Sequence, residues 1–312
     1  MILVTGASGF IGTALVGELT RRGIAFRAVT RAGRDSHFPI RHIGPDTDWT
    51  AALHGVDAVV HLASSAHAPD QAPAPSVDAT LNLARQAVEA GARRFVFISS
   101  IKVNGETTEL GRPFTADDPP NPQDAYAQAK LEAEQGLFAL SRETGLEVTV
   151  LRPPLVYGPG VKANFAAMME WANRGIPLPL RAVGNRRSFA YVGNLVDLII
   201  LSLSHPDAPG QVFLVSDGED MSTAELFRRM AHALGRTSWI MPVPAAVVTF
   251  AATAIGQRTL ATRLVGSLQV DLAKTREMLG WMPRKSVEEG LRLTARSFQQ
   301  VELALDPIVR SA

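Results

Sequence analysis

The sequence predicts an α/β protein in which a doubly wound parallel sheet carries a smaller, mostly C-terminal lobe. Short apolar runs alternate with longer helical patterns through the first half of the 312-residue chain. The runs are apolar on both faces, which is typical of parallel strands that helices cover from two sides. After Tyr157 the alternation gives way to a segment rich in Pro and Gly, which often marks a second lobe.

Five strands and three helices are predicted in order along the first half. The strands are residues 1–5, 25–30, 58–63, 95–99 and 147–151, and the helices are residues 11–22, 77–90 and 125–144. The helices end at Gly23, Gly91 and Gly145, because glycine readily adopts the backbone conformation of a helix C-terminus. The Ala- and Pro-rich residues 66–75 predict an exposed, flexible loop.

The second half carries fewer regular patterns. A helix is predicted at residues 195–203, a strand at 212–215, and a helix at 222–234 that begins with the capping-box spacing of Ser222 and Glu225. Residues 271–300 predict a helix, a turn and a second helix. We therefore expect one domain over residues 1–157, to which the chain returns near residues 188–216, and a second lobe formed mainly by residues 158–312.

The composition excludes several classes of function. The 31 basic and 30 acidic residues give a formal net charge of +1, which argues against a dedicated nucleic-acid-binding protein. The absence of Cys rules out disulfides, thiol catalysis and Cys-ligated metals. His61 has no second His or acidic cluster in register, so no metal site is expected. Three Tyr and five Lys leave few candidates for chemistry that needs a phenol or an amine.

The sequence contains no segment that predicts export or membrane insertion. Met1 is followed directly by an apolar strand, with no basic segment before it, which does not resemble a signal peptide. The longest apolar run, residues 244–257, is shorter than the roughly 20 residues that span a bilayer, and predicts a buried or interfacial helix. We expect a soluble, cytoplasmic protein.

A turn with the spacing Gly-x-x-Gly-x-x-Gly joins the first strand to the first helix. Glycine permits the tight turn and lets backbone N–H groups approach a pyrophosphate, and the helix N-terminus adds the positive end of its dipole. Its place between a strand and a helix makes the pattern specific. It predicts that residues 1–157 bind a dinucleotide through Gly6, Ser8, Gly9, Phe10, Ile11 and Gly12.

The end of the second strand bears on the choice of nicotinamide cofactor. An acidic residue there usually binds the ribose 2′-hydroxyl of NAD, whereas Arg accommodates the 2′-phosphate of NADP. This strand ends in Val29-Thr30-Arg31. Because a guanidinium matches phosphate geometry, Arg31 favours NADP(H) over NAD(H), although it could instead stack on adenine or face solvent.

Tyr126 and Lys130 form a Tyr-x-x-x-Lys pair within the third predicted helix. Residues four apart lie on one helix face, so the ammonium would lie near the phenol. A phenol has an unperturbed pKa near 10, which a nearby cation lowers. The pair can then exchange a proton with a carbinol or carbonyl oxygen while a nicotinamide exchanges hydride.

Residues 99–105, Ser-Ser-Ile-Lys-Val-Asn-Gly, follow the fourth strand. Together with the glycine turn and the Tyr-Lys pair, they resemble the extended short-chain dehydrogenase/reductase family, also called the NAD-dependent epimerase/dehydratase family. In that family the stretch reads Ser-Ser-x-x-Val-Tyr-Gly, so Asn104 is a departure. The resemblance implies a Rossmann-type fold, Ser100 as the catalytic hydroxyl with Ser99 as its near alternative, and a homodimer. It adds Leu62, Ala63, Ser99, Tyr126, Lys130 and Pro153 to the cofactor-binding residues.

The same resemblance implies a set of substrate-binding residues. Asn164 lies where sugar-nucleotide enzymes of the family place an Asn beside the substrate phosphates, and Arg186 and Arg187 match their Arg-containing stretch. Paired guanidinium groups suit phosphate oxygens, although both could be solvated loop residues. Arg263 is a second phosphate candidate, and Lys102 either faces the substrate or is a solvated loop lysine.

The resemblance implies an oxidoreductase that acts at C4 of a nucleotide-activated sugar, as in bacterial surface-polysaccharide synthesis. We expect reduction of a UDP-4-keto-6-deoxy-N-acetylhexosamine, because Arg31 favours NADP(H). A reductase exchanges its cofactor at each turnover and can therefore use NADPH. The alternative is a UDP-hexose 4-epimerase, acting on UDP-glucose or UDP-N-acetylglucosamine, which keeps NAD bound. A second alternative is a non-catalytic, cofactor-binding relative, but such proteins typically lose Tyr or Lys of the pair.

Overall fold

The computed structural model describes residues 1–30, 37–63, 77–177, 183–241, 243, 247 and 265–309. In chain order its strands are β1 Ile2–Thr5, β2 Phe26–Thr30, β3 Phe38–Pro39, β4 Ala58–His61, β5 Arg94–Ile98, β6 Glu147–Arg152, β7 Leu155–Tyr157, β8 Phe189–Tyr191 and β9 Gln211–Leu214. Its helices are α1 Phe10–Arg21, α2 Thr50–Leu53, α3 Val77–Glu89, α4 Ala125–Thr144, α5 Ala163–Asn173, α6 Val192–Ser202, α7 Thr223–Ala233, α8 Ala273–Leu279 and α9 Val287–Val309. A single 3-10 turn covers Ile101–Val103.

Seven strands form one sheet in the order β3-β2-β1-β4-β5-β6-β9, and every neighbouring pair is parallel. The chain runs from β1 outward to β3 and then crosses back to β4, so the strand order reverses between β1 and β4. Ligands of such sheets bind beyond the carboxyl ends of the strands at this reversal. The predicted doubly wound, Rossmann-type parallel sheet is therefore confirmed.

The central strands are buried on both faces. Every residue of β4 and of β5 is buried, because helices cover the sheet from two sides. The residues that follow β1, β4, β5 and β6 all emerge at the carboxyl edge, which brings four distant parts of the sequence together.

The helix that carries the Tyr-Lys pair was predicted at its observed bounds. Asp124 caps α4, since its side chain accepts a hydrogen bond from the Ala127 N–H at 2.7 Å. Gly145 ends the helix with a φ of 78°, a left-handed conformation that glycine adopts without steric cost. The predicted N-cap of α7 is also present, since Ser222 accepts from the Glu225 N–H at 3.0 Å.

Several short elements were not predicted from the sequence. The strand β3 has two residues and α2 has four, which is too short for a hydrophobic period to show. The strands β7 and β8 form a separate two-stranded parallel sheet, and α5 follows directly in the Pro- and Gly-rich segment. That segment therefore contains more regular structure than its punctuation suggested.

The chain returns to the main sheet after this small second sheet. Helix α6 packs against α1, and β9 pairs with β6 at the edge of the main sheet. Residues 266–271 then connect two distant parts of the chain. Leu268 pairs with Arg187, and Val270 pairs with Phe114.

Some predicted features lie outside the described residues: the loop at residues 66–75, nearly all of the apolar run at 244–257, Arg31 and Arg263. Among the helices within the described ranges, none combines the length and apolar character needed to cross a membrane.

Candidate active site

The predicted site residues gather at the carboxyl edge of the main sheet. Gly6 follows β1, Leu62 and Ala63 follow β4, Ser99 and Ser100 follow β5, and Pro153 follows β6. These loops contact one another, since the Ile101 N–H donates to the Pro153 carbonyl at 3.0 Å. The parallel register brings together residues that are far apart in sequence.

Two glycine positions of the turn, Gly6 and Gly12, have no room for a side chain. A Cβ on Gly12 would lie 2.1 Å from the Gly6 carbonyl oxygen, and a Cβ on Gly6 would lie 2.9 Å from the Ala63 backbone nitrogen. Gly6 also has a φ of 68°, in the left-handed region. Gly9 is the N-cap of α1 and provides no side-chain hydrogen bond, so the amides of the first helical turn remain directed at any anion placed there.

A buried histidine fixes the strand ends beneath this turn. The Nδ1 of His61 hydrogen-bonds the Thr5 hydroxyl at 2.8 Å, and Nε2 lies 3.2 Å from the Thr80 hydroxyl. Burial, and secondarily the positive charge of Lys130, lower the pKa of His61 to about 3, so the ring is neutral near pH 7. His61 thus holds β1, β4 and α3 together, and within the described residues no group of three or more potential His, Asp or Glu ligands surrounds a metal position.

Lys130 extends from α4 to the end of β5. Its ammonium donates to the Ile98 carbonyl at 2.9 Å and lies 4.5 Å from the centre of the Phe97 ring. The Tyr126 ring centre is 6.0 Å from the same nitrogen, so the two residues share a helix face as the spacing predicts. Burial lowers the pKa of Lys130 to about 8, although the Glu134 carboxylate opposes this shift.

The two neighbouring serines differ in their surroundings. Ser99 is buried, and its hydroxyl donates to the Glu134 carboxylate. Ser100 is half-buried, and its Oγ accepts the Lys102 N–H at 3.3 Å as the N-cap of the 3-10 turn. The Ser100 hydroxyl can therefore still donate its proton in a hydrogen bond, whereas the Ser99 hydroxyl donates its proton to Glu134.

A buried ionic network below the site was missed by the sequence analysis. The Glu134 carboxylate receives Arg152 Nε at 3.1 Å and Nη2 at 2.5 Å, and both side chains are almost fully buried. Arg152 Nη1 donates to Asn104 at 3.0 Å, and Asn104 donates in turn to the Thr115 carbonyl at 2.9 Å. Glu134 lies four residues after Lys130 on α4, a spacing that places both side chains on one helix face. This spacing was the sequence signal that Glu134 belongs to the surroundings of the site.

Lys102 forms two ion pairs at the mouth of the site. Its ammonium donates to Glu106 at 2.8 Å and also to Asp124, the N-cap of α4. Burial lowers the pKa of Lys102, but the hydrogen bonds to Asp124 and Glu106 outweigh it and raise the pKa overall. Lys102 is therefore cationic and held within the protein rather than solvated on the loop.

Two of the predicted substrate residues, Arg186 and Arg187, lie just before β8. Arg186 is exposed and donates to the Asp220 carbonyl at 3.1 Å, while Arg187 is half-buried and donates to the Gly266 carbonyl at 2.9 Å. The exposed guanidinium of Arg186 has five N–H donors, so this bond leaves others for an anion. Asn164 lies in the first turn of α5, directly after Ala163, whose φ of 55° is a left-handed conformation rarely adopted by Ala.

A cavity of about 690 Å³ lies beside the glycine turn. Its lining includes Ser8, Gly9 and Phe10 from the turn, Lys162 from the start of α5 and Val192 from the start of α6. Much of the lining lies along α1 and α6, and it includes none of Ser100, Tyr126 and Lys130, so the cavity adjoins the turn but not the proton-transfer residues.

The arrangement can bind a nicotinamide dinucleotide and move a proton beside it. The N-terminus of α1, which has no side-chain cap, and the close backbone packing at the glycines of the turn suit a pyrophosphate. Tyr126 and Lys130 on α4 and Ser100 after β5 supply a phenol, an ammonium and a hydroxyl at the same sheet edge. This set fits acid/base exchange at an alcohol or ketone oxygen.

Comparisons with known proteins agree with this chemistry. A model of the NAD-dependent epimerase/dehydratase family matches residues 2–216, which include the glycine turn, Ser100, Tyr126 and Lys130. The chain is 44% identical to a UDP-glucose 4-epimerase of Vibrio cholerae, over 96% of this chain and 95% of that protein.

Two solved structures are similar over nearly their whole length. A UDP-glucose 4-epimerase from Thermotoga maritima, solved with UDP-glucose, is 25% identical with a TM-score of 0.75 and covers 96% of this chain and 99% of its own. The protein MoeE5, solved with UDP-glucuronic acid and NAD, is 27% identical with a TM-score of 0.76 and the same coverage of both chains.

Proposed function

The chain belongs to the NAD-dependent epimerase/dehydratase family, an enzyme class of the extended short-chain dehydrogenases/reductases, and we propose that it is a UDP-hexose 4-epimerase. The observation that carries the proposal is the 44% identity, over 96% of this chain, to the UDP-glucose 4-epimerase of Vibrio cholerae. The intact set of Ser100, Tyr126 and Lys130 supports an active enzyme rather than a non-catalytic relative.

In this proposal the three polar side chains handle the proton at C4 of the sugar. Tyr126 accepts the proton of the C4 hydroxyl as the carbon becomes a ketone, and returns it when the alcohol re-forms. Lys130, held by the Ile98 carbonyl, places its charge on the Tyr126 side of α4. Ser100 donates a hydrogen bond to the reacting oxygen, because the Ser99 hydroxyl is already engaged by Glu134.

The glycine turn and the α1 N-terminus would hold the pyrophosphate of the cofactor, and Leu62, Ala63 and Pro153 line the same sheet edge. A nicotinamide bound there would supply hydride transfer from C4 and its return to the opposite face of the 4-keto sugar, which inverts C4. We propose NAD, because an epimerase regenerates its cofactor within each turnover and does not need to exchange it.

The second lobe is proposed to bind the nucleoside diphosphate. Arg186 and Arg187 are the described cations that we propose bind the phosphates, and Asn164 and Arg263 are proposed as further contacts. Residues 158–312 would then form mainly the substrate-binding lobe and residues 1–157 the cofactor-binding domain. We also propose a cytoplasmic homodimer formed through α3 and α4, which pack side by side.

A second candidate function is reduction of a UDP-4-keto-6-deoxy-N-acetylhexosamine with NADP(H). The observation that favours it is Arg31, which follows the second strand where an NAD-binding protein usually has an acid. The two candidates use the same proton-transfer residues and differ in whether the cofactor is retained.

Mass spectrometry of the cofactor released from freshly purified protein distinguishes the two candidates. The epimerase is expected to release NAD and to interconvert UDP-glucose and UDP-galactose without added cofactor. Protein that is purified without cofactor, and that reduces a 4-keto sugar nucleotide only when NADPH is added, would replace the epimerase with the reductase.

A further inference from the structure

One side chain joins the loop that carries Ser100 to the helix that carries Tyr126. The backbone N–H of Lys102 donates to Ser100 Oγ at 3.3 Å, and its ammonium reaches Glu106 at 2.8 Å and Asp124. Asp124 in turn caps α4 by accepting the Ala127 N–H at 2.7 Å. The two proton-handling groups are therefore connected through Lys102 and Asp124.

The cap is the part of α4 that most affects Tyr126. Tyr126 is the second residue of the helix, inside the first turn, where the backbone N–H groups have no helical partner. Asp124 uses one carboxylate oxygen for the cap and the other for Lys102. Loss of the bond between Lys102 and Asp124 would therefore act on the first turn of α4, which carries the Tyr126 phenol.

The two ion pairs of Lys102 are partly shielded from water, and they place one ammonium between two carboxylates. The Lys102 side chain is 24% exposed, so its pairs with Glu106 and Asp124 are screened less than those at an open surface. Without the ammonium, the two carboxylates would face each other next to the start of α4. A separate backbone bond, from the Asn121 N–H to the Val103 carbonyl at 2.8 Å, joins the same two segments and would remain.

We propose that Lys102 is a positioning residue that sets the placement of the Tyr126 phenol relative to the Ser100 hydroxyl. The proposal rests on the function proposed above, in which these two groups contact the same substrate oxygen. If Lys102 instead contacted the substrate directly, its replacement would raise KM and leave kcat unchanged.

The test replaces Lys102 by Met, which keeps the length of the side chain and removes its charge, and by Arg, which keeps the charge. We expect Lys102→Met to lower kcat for UDP-glucose by about 10- to 100-fold, the range that a small misplacement of reacting groups produces. KM and the amount of bound NAD should not change, and Lys102→Arg should recover most of kcat.

A double-mutant cycle with Asp124→Asn tests the route of the effect. Asn also caps helices, so the cap is kept while the charged partner of Lys102 is removed. Because both substitutions break the same link, we expect the double variant to lose no more activity than Lys102→Met alone. Fully additive losses would contradict the proposal.

Lys274→Met is the matched control. Lys274 is 22% exposed and pairs with Asp117 at 2.6 Å, so it also joins α8 to a loop, but that link does not include α4. We expect its kcat to equal that of the wild type. An equal loss of kcat in this control would overturn a role specific to Lys102.

Amide hydrogen exchange separates failure of this inference from failure of the proposed function. We expect faster exchange in the first turn of α4 in Lys102→Met and not in Lys102→Arg, whether or not the wild type acts on UDP-glucose. An inactive wild type would overturn the epimerase function while exchange still decides the positioning role. A rise in KM with unchanged kcat, or unchanged exchange, would overturn the proposal.

Discussion

Asn104 occupies a position where the resemblance leads one to expect Tyr, and its contacts explain how the exchange is accommodated. It is buried, accepts Arg152 Nη1 at 3.0 Å and donates to the Thr115 carbonyl at 2.9 Å. The amide thus supplies an acceptor for a buried guanidinium, which would otherwise lack one partner. A departure from the motif at this residue therefore leaves the site intact.

For Tyr126 we predict a loss of turnover without a loss of cofactor binding. Tyr126→Phe removes the hydroxyl that we propose exchanges a proton with the substrate, so we expect kcat to fall by about 10²- to 10⁴-fold. Bound NAD, measured by absorbance after release, should be nearly unchanged, because the phosphate-binding turn lies on other elements. Full activity in Tyr126→Phe would contradict the assignment.

The buried Lys130 gives a pH-dependent stability with a definite sign. Its pKa is about 8 when folded, below the usual value near 10.5, so between these values the unfolded chain binds more protons. Stability contributed by this group therefore rises as pH increases through 8, and charging it below pH 8 is a cost of folding.

Urea unfolding of cofactor-free wild type and Lys130→Met at pH 7 and pH 10 tests this sign. We expect the stability of the wild type relative to the variant to increase by about 2 kcal/mol between the two pH values, since each pKa unit is worth about 1.4 kcal/mol. A difference that stays constant with pH would show that Lys130 is not buried as a charged group.

At the scale of elements, the glycine turn and α1 form one unit. We expect Gly12→Ala to lose NAD binding, because its Cβ would lie 2.1 Å from the Gly6 carbonyl oxygen and would push the turn apart. Gly17→Ala in the same helix has no heavy atom within 4 Å of its Cβ and should gain about 0.5–1 kcal/mol of stability. Calorimetric titration with NAD and thermal unfolding measure the two effects, and equal NAD affinity in both variants would contradict the steric argument.

At the scale of the whole molecule, a buried polar cluster joins the end of β9 to the small β7-β8 sheet, α6 and the segment before α9. Asp217, after β9, accepts the Tyr157 hydroxyl at 2.8 Å, the Tyr191 N–H at 2.8 Å and the Asn194 amide at 2.7 Å. Asn194 also pairs with both backbone groups of Lys285, at 2.8 and 2.9 Å. Burial raises the pKa of Asp217, while the donors around it oppose that shift.

The cluster predicts a large effect at Asn194. Asn194→Ala leaves buried partners on Asp217 and Lys285 unsatisfied, so we expect a loss of about 3 kcal/mol in the free energy of unfolding. Gln123→Ala, at an exposed loop amide, should change stability by less than about 0.5 kcal/mol. Urea unfolding compares the two variants, and similar small losses would show that the cluster does not hold these elements together.

The sequence alone predicted six of the seven strands of the main sheet, the glycine turn and the bounds of α4. These depend on local patterns: apolar runs long enough to bury, a spacing of glycines and a spacing of Tyr126 and Lys130 along one helix. The short elements β3, α2, β7 and β8 carry no such period, so the sequence did not predict them.

Only the tertiary structure distinguished Ser100 from Ser99 and found the Glu134–Arg152 pair and the contacts of Lys102. Each depends on which side chains meet across strand ends or between a loop and a helix cap. The sequence places Ser99 and Ser100 side by side, but their different environments come from α4 packing on one of them. Burial and long-range contacts, rather than residue type, decided these features because they exist only once distant segments have packed together.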